Sequence, residues 1–333
     1  MSDFFKGKVI LCAGGSGSWG NELTTQLLDK HPKKIIIFSR GELAQVNMQR
    51  KFNNNTLEFI IGDVRDADAV DRLFHINKID YVFQLAALKH VPVCENQPQE
   101  AIKTNINGTI NLINSSIKYN VRKFIDVSSD KAVAPINLYG MTKSVGERLS
   151  IQANNLTKHT DFVCVRGGNV LGTNGSVVPY FIDSIKTHNK IDITNIDMTR
   201  FFLTLSDAIS LLFCAVENSI GGEIYVMNMP SFYIRDLAKI LIEYYGNINT
   251  KIKVIGIREG EKLNEILISE HEAPHSYIYN KNYYVILPSL KINKDYSHID
   301  TNKRVTFKEF SSADNLKSKR YLRELLINGG FLK

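Results

Sequence analysis

Short apolar runs alternate with amphipathic stretches through the first half of the chain. Residues 8–13 read as a strand, and residues 21–30 then carry Leu23, Leu27 and Leu28 at helical spacing. Strand-like runs recur at 34–39, 57–62, 81–86, 123–128 and 161–166, with helical periodicity between them, notably over 101–119 and 139–154. Near-continuous apolar strands separated by helices predict right-handed βαβ units and a parallel sheet covered on both faces. After Arg166 the pattern loosens into a glycine-spaced loop, 167–175, and mixed segments to residue 200. A helix over 208–217 and a strand over 223–228 are assigned back to the main sheet. From Met229 the elements are shorter and more polar, and a last helix near 315–327 stops before Gly329-Gly330.

The expected fold is therefore α/β, a doubly wound parallel sheet with a smaller C-terminal α/β lobe. Residues 1–172 with 205–229 form the nucleotide-binding unit, and 173–204 with 230–333 form the lobe. The 333 residues suffice for both. No stretch approaches the roughly 20 apolar residues of a membrane span, and the start, Met1-Ser-Asp-Phe-Phe, lacks a leader pattern. A cytoplasmic location is the expectation. The net charge of +7 is scattered without a basic run, which favours an anionic small molecule over nucleic acid. Cys12, Cys164 and Cys214 lie in apolar runs and are expected as buried thiols. His271-Glu-Ala-Pro-His275 is not a zinc helix, because Pro274 breaks it.

Ala13-Gly-Gly-Ser-Gly-Ser-Trp-Gly20 follows the first strand and opens the first helix. It fits both Gly15-x-Gly17-x-x-Gly20 and Gly14-x-x-Gly17-x-x-Gly20, the Rossmann-like signature of a dinucleotide site. Gly14, Gly17, Ser18, Trp19 and Gly20 are the candidate loop contacts, with Ala86 at the end of the fourth strand. The second strand ends Phe38-Ser39-Arg40 with no acid at its tip, so a hydroxyl and a guanidinium select a 2′-phosphate and hence NADP. Asp63 and Val64 close the third strand; Asp63 can receive the adenine amino group, or cap a helix over 64–74.

Tyr139-Gly-Met-Thr-Lys143 places a phenol and an ammonium one helical turn apart. A nearby cation favours phenolate, making Tyr139 a candidate base. Ser129-Asp-Lys-Ala132 follows the fifth strand, where side chains face the ligand crevice of an open α/β sheet. Asp130 and Lys131 there offer a proton donor and a base.

The glycine loop, the Tyr139/Lys143 pair and the Ser128-Ser129 strand end resemble the extended short-chain dehydrogenase/reductase superfamily. Gly62-Asp-Val-Arg-Asp66, Ala86-Ala-Leu-Lys-His-Val-Pro92, Ser129-Asp-Lys-Ala132, Gly175-Ser-Val-Val-Pro179, Met198-Thr-Arg-Phe201 and Gly256-Ile-Arg-Glu-Gly-Glu-Lys-Leu-Asn-Glu265 narrow the match. Together they look like the short-form UDP-N-acetylglucosamine 4,6-dehydratases of bacterial pseudaminic acid and related pathways. The resemblance implies C4 oxidation by bound NADP, loss of water across C5/C6 and hydride return to C6. It implies Tyr139 as the C4-hydroxyl base, with Lys143 lowering its pKa and binding ribose. Asp130 would be the acid and Lys131 the C5 base if its neighbours keep it partly neutral, with Ser128 or Ser129 near C4. Lys89, His90, Asn169, Val177, Arg200, Arg258 and Glu261 would contact the UDP-sugar, and a homo-oligomer is implied.

The chain departs from that family at Ala13, Trp19, Ser129, Gly167 and Asn264. The loss of a tyrosine at Gly167 is expected to open space beside the sugar. Inversion at C5 or release of the 5,6-ene are both open outcomes, and a UDP-hexose 4-epimerase or reductase, or a non-catalytic NADP-binding regulator, are the alternatives.

Overall fold

The computed structural model describes residues 4–173 and 175–332; the first three positions of the start read for a leader pattern lie outside the described residues. Strand and helix alternate strictly through β1 (Val9–Ala13), α1 (Ser18–Leu28), β2 (Lys34–Ser39), α2 (Glu42–Phe52), β3 (Leu57–Ile61), α3 (Ala67–Ile76) and β4 (Tyr81–Gln84). Two short helices, α4 (Val91–Asn96) and α5 (Pro98–Ile102), run through a π-helical turn (Lys103–Asn107) into α6 (Gly108–Lys118). Where periodicity predicts one helix over 101–119, the chain thus takes a one-residue-wider turn. Then come β5 (Lys123–Ser129), α7 (Leu138–Ala153) and β6 (Asp161–Gly167).

Beyond β6 lie β7 (Asn169–Val170), α8 (Val177–His188), β8 (Lys190–Ile193), β9 (Thr199–Leu203), α9 (Leu205–Asn218) and β10 (Ile224–Met227). They are followed by β11 (Ser231–Tyr233), α10 (Ile234–Tyr245), β12 (Lys251–Val254), β13 (Ile266–Ile268), β14 (Ser276–Ile278), β15 (Tyr283–Ile286), β16 (Phe310–Ser311) and α11 (Lys319–Asn328). Seven strands form a parallel sheet in the order β3-β2-β1-β4-β5-β6-β10, and β15 and β14 add antiparallel to its edge. The expected return of β10 to this sheet is observed. Where the pattern assigns 276–286 to the lobe, these residues extend the main sheet instead, because Tyr283–Ile286 pairs directly with Ile224–Met227.

The central strands are apolar on both faces because helices cover both. Ile10, Leu11 and Cys12 of β1 are fully buried, and each such large aliphatic contributes roughly 1.5–3 kcal/mol. The lobe has its own core, in which Phe181 and Ile185 of α8 meet Leu237 and Leu241 of α10 and Leu322 and Leu326 of α11. Its strands form the small sheets β11-β9-β7, β12-β8 and β13-β16. The four cysteines are free; Cys94 is buried with Cys12 and Cys164, while Cys214 is only partly covered.

Strand order reverses between β1 and β4, the switch point where such sheets bind ligands. The glycine loop, the ends of β4 and β5, and the lobe meet there.

Candidate active site

A cavity of about 800 Å³ opens at that switch point. Gly14, Gly17, Ser18, Trp19, Ser39, Arg40, Asp63, Val64 and Ala86 line one end of it. Gly14 has φ +77°, and a Cβ there would lie 2.7 Å from the Ala86 backbone. Gly20 lies outside the lining, and its lack of a side chain serves packing: a Cβ would stand 1.9 Å from the Gly15 carbonyl oxygen. With Gly17 as an N-cap that makes no side-chain bond, α1 presents its first N–H groups at the loop, the arrangement that holds a pyrophosphate.

At the adenosine end, Ser39 Oγ accepts from Ser16 Oγ at 2.9 Å and from Gln45 Nε2 at 3.0 Å. Arg40 is half exposed, 3.7 Å from Asp63. Asp63 does not cap a helix over 64–74. The helix begins three residues later, capped by Asp66 accepting from the Ala69 N–H, while Asp63 is taken by Arg65 at 2.7 Å. Burial raises the Asp63 carboxyl, but the Arg65 bonds outweigh it and hold it below the usual range. A guanidinium and a hydroxyl with no free acid at the tip of β2 fit a 2′-phosphate.

Ser128, Ser129, Asp130, Lys131, Tyr139 and Lys143 line the middle of the cavity. Asn137 caps α7 by accepting from the Gly140 N–H at 2.8 Å, which sets the turn carrying Tyr139 and Lys143. Ser129 Oγ donates to Asp130 Oδ1 at 2.9 Å and caps the turn Asp130–Ala132. Ser128 Oγ and Asp130 Oδ2, by contrast, are buried without a partner among the described residues. The serine free to meet a ligand is thus Ser128. Lys131 Nζ donates to Asp130 Oδ1 at 3.0 Å and lies 3.6 Å from Glu265 Oε1. Burial pulls the Lys131 ammonium down, but the two carboxylates outweigh it and hold it well above the ordinary lysine value. The condition set for Lys131 as a base, a partly neutral amine, is therefore not met by these neighbours in the resting arrangement.

Lys89 and His90, past the end of β4, and Asn169 and Val177 line the far end. The His90 ring lies over Gly175, where a Cβ would come within 2.5 Å of it. Val177 opens α8, whose N-cap Ser176 makes no capping bond and keeps a buried Oγ without a partner among the described residues. Asn105, buried in the π turn, joins two walls. Its amide nitrogen donates to Leu88 O and Thr142 Oγ1, both at 2.9 Å, and its oxygen accepts from the Leu88 N–H at 2.8 Å.

Three predicted contacts do not reach the cavity. Arg200 is buried and bonded to the carbonyls of Thr199, Lys262 and Leu263, with Glu261 and Glu265 beside it. Glu261 accepts from the Arg258 N–H at 3.3 Å, and Arg258 is exposed. The segment is fastened to the stretch between β5 and α7 by Asn137 Nδ2 on Gly260 O and Lys262 Nζ on Val133 O. Gly167 lines the cavity, as the expected space there requires, and the Trp19 ring borders it, 3.7 Å from where a Cβ would stand.

Sequence reasoning missed Glu265, the second carboxylate on Lys131, and Asp126, buried below Lys143. A carboxylate at an inward position of an apolar strand was the available signal for Asp126.

A profile of the polysaccharide biosynthesis protein family matches residues 10–287. UDP-N-acetylglucosamine 4,6-dehydratase (inverting) of Campylobacter jejuni subsp. jejuni serotype O:23/36 (strain 81-176) is 43% identical over 302 residues, 90% of this chain and 88% of that protein. UDP-glucose 4-epimerase of Rickettsia felis (strain ATCC VR-1525 / URRWXCal2) is 37% identical over 332 residues, 97% of this chain and 96% of that one. The X-ray structure of Pen from Bacillus thuringiensis matches with a TM-score of 0.91 at 37% identity, covering 99% of this chain and all of that one. Among the described residues no helix is long and apolar enough to cross a membrane. The family resemblance carried by the motifs therefore holds across most of the sequence, and the chain belongs to the polysaccharide biosynthesis protein family.

Proposed function

We propose that this protein is an NADP-dependent UDP-N-acetylglucosamine 4,6-dehydratase. The observation that carries the reading is the hydrogen-bonded Asp130–Lys131 pair beside Tyr139, with Ser128 Oγ and Asp130 Oδ2 left unpartnered at the cavity. Two buried oxygens without partners call for a polar ligand, and a sugar offers hydroxyls to both. The 43% identity to a dehydratase over 90% of the chain supports the same substrate class.

When bound, NADP⁺ would supply a hydride acceptor for C4 and, once reduced, the hydride donor for C6. Ser39 and Arg40 would hold its 2′-phosphate, and the α1 N-terminus its pyrophosphate. The uncapped start of α8, with Ser176 Oγ, suits the pyrophosphate of the nucleotide sugar. Tyr139 takes the C4 hydroxyl proton, and the ketone then acidifies C5–H.

Elimination needs an amine base and a carboxylic acid, whereas the resting pair is ammonium and carboxylate. Moving one proton across the 3.0 Å bond from Lys131 Nζ to Asp130 Oδ1 produces both. A bound sugar that excludes water favours this neutral form. Lys131 then takes the C5 proton and Asp130 protonates the departing C6 hydroxyl, which leaves as water. The ion pair is thereby restored, so the elimination itself draws no proton from solvent, and the Lys131 ammonium, whose protons exchange with solvent, would return one to C5 as hydride reaches C6.

The Rickettsia relative favours a second reading, 4-epimerisation, which has no use for Asp130 and Lys131. A proton NMR time course with UDP-N-acetylglucosamine in D₂O separates the two. A new C6 methyl with deuterium at C5 is expected, and its ring couplings report inversion or retention. Vinyl signals would mean release of the 5,6-ene, and a C4 epimer without a methyl would overturn the dehydratase.

A further inference from the structure

Asp126 sits in mid-β5, fully buried, between Gln84 of β4 and Cys164 of β6 in register. A carboxylate there is costly unless paired and hydrogen-bonded. Its partner is Lys143, 4% exposed, with Nζ 3.4 Å from Oδ1, and Ser150 Oγ donates to Oδ2 at 3.4 Å. Lys143, Gly146 and Ser150 share one face of α7. Gly146 leaves the space, since a Cβ there would stand 3.3 Å from Asp126 Oδ2. Lys143 lines the cavity and Asp126 does not, so the lysine stands between the carboxylate and the ligand site.

We propose that Asp126 is a positioning residue that anchors Lys143 at the cavity floor and keeps it an ammonium toward the bound dinucleotide. The charged groups around the pair are accounted for. From α7 come Lys143, Tyr139 and Glu147, from β6 Cys164 and Arg166, and from β4 only the neutral Gln84. Glu147 is committed to Arg166 through two 2.7 Å bonds, so Asp126 is the carboxylate left for Lys143. Burial alone pulls a lysine down; with Asp126 in place Lys143 is held above its ordinary value. Removing the carboxylate leaves burial to dominate, and the buried amine then loses its proton nearer neutral pH.

The inference rests on the cavity holding NADP, and its test needs no sugar. Trp19 is the single tryptophan and lines the cavity, so its fluorescence reports NADP⁺ affinity across pH. Asp126→Asn is expected to lose affinity on the alkaline side, with a midpoint at least about one pH unit below that of the unaltered protein. Asp126→Asn with Lys143→Arg is expected to regain a flat profile, because a guanidinium does not titrate there. Superimposable profiles for Asp126→Asn and the unaltered protein would overturn the proposal. If Asp126→Asn does not fold, or NADP⁺ leaves the fluorescence unchanged, ε-carbon-labelled lysine NMR of the unaltered protein decides. The Lys143 signal, identified by its absence in Lys143→Arg, should not titrate below about pH 10.4, and a lower midpoint would overturn the proposal. Absence of sugar turnover would refute the dehydratase reading alone.

Discussion

At the tip of β5, Ser128 and Asp130 line the cavity with oxygens that nothing among the described residues satisfies, while the polar groups of the 258–265 segment are taken up by protein partners, its carbonyls by Arg200, Lys262 by the Val133 carbonyl and Glu261 by the Arg258 N–H. Both regions are rich in polar side chains, and both matched the family motifs. They differ in what positions them. A strand end in a parallel sheet has one direction, fixed by register with its neighbours, so its next residues must emerge at the crevice. The 258–265 segment is short irregular chain whose side chains settle wherever local partners lie. Arg200 found two carbonyls there, those of Lys262 and Leu263. Strand ends thus carry their polar residues to the cavity lining, whereas the loop leaves Arg258 and Glu261 off it.

The sharpest way to break this comparison is kinetic. Tyr139→Phe should lower sugar turnover by about 10²–10⁴-fold, whereas Glu261→Gln should change it by less than about threefold; NMR rates of product formation decide, and comparable losses would erase the distinction. Next in size is a stability contrast. Glu147 holds Arg166 behind the site with both side chains buried, so Glu147→Ala leaves a buried guanidinium short of a partner. That change should cost roughly 3–5 kcal/mol in denaturant unfolding, while Arg258→Ala at the exposed loop should stay within about 0.5 kcal/mol.

A third test uses pH. Burial raises Glu272, but Arg166 and the Ser269 bonds outweigh it and hold the carboxyl low. A group depressed in the fold stabilises above its unfolded pKa, about 4.3, and that stabilisation is lost as pH falls through the folded value. Stability should therefore decline below about pH 4, and Glu272→Gln should flatten part of that decline; an unchanged slope would show that the Arg166 clamp contributes nothing. Smallest of all, Arg258→Ala should raise KM for the UDP-sugar by less than about threefold. A tenfold rise would mean that the 256–265 segment closes onto the ligand.

The strand pattern, the glycine loop and the β5 end were legible because each is a local statement, period two or a turn needing glycine, that topology then aims. The edge strands Ser276–Ile278 and Tyr283–Ile286 were not, since strands of three and four residues carry too little periodicity to separate them from loop. Asp126 and Glu265 were hidden for another reason. Their meaning lies in Lys143 and Lys131, whose contacts exist only after folding, and Trp19 against Gly167 is likewise a pairing across 148 positions that neither residue announces alone.

The π turn at Lys103–Asn107 bears on how the chain can vary over its history. Its extra residue places Asn105 so that one amide sets the distance between the β4 end, with Lys89 and His90 next along, and the helix bearing Lys143. Deleting one residue there would restore a regular helix and swing Asn105 by about 100°, away from both walls. Point changes on the outer surface of that turn alter nothing it measures. Its length, more than its composition, is what descent must conserve.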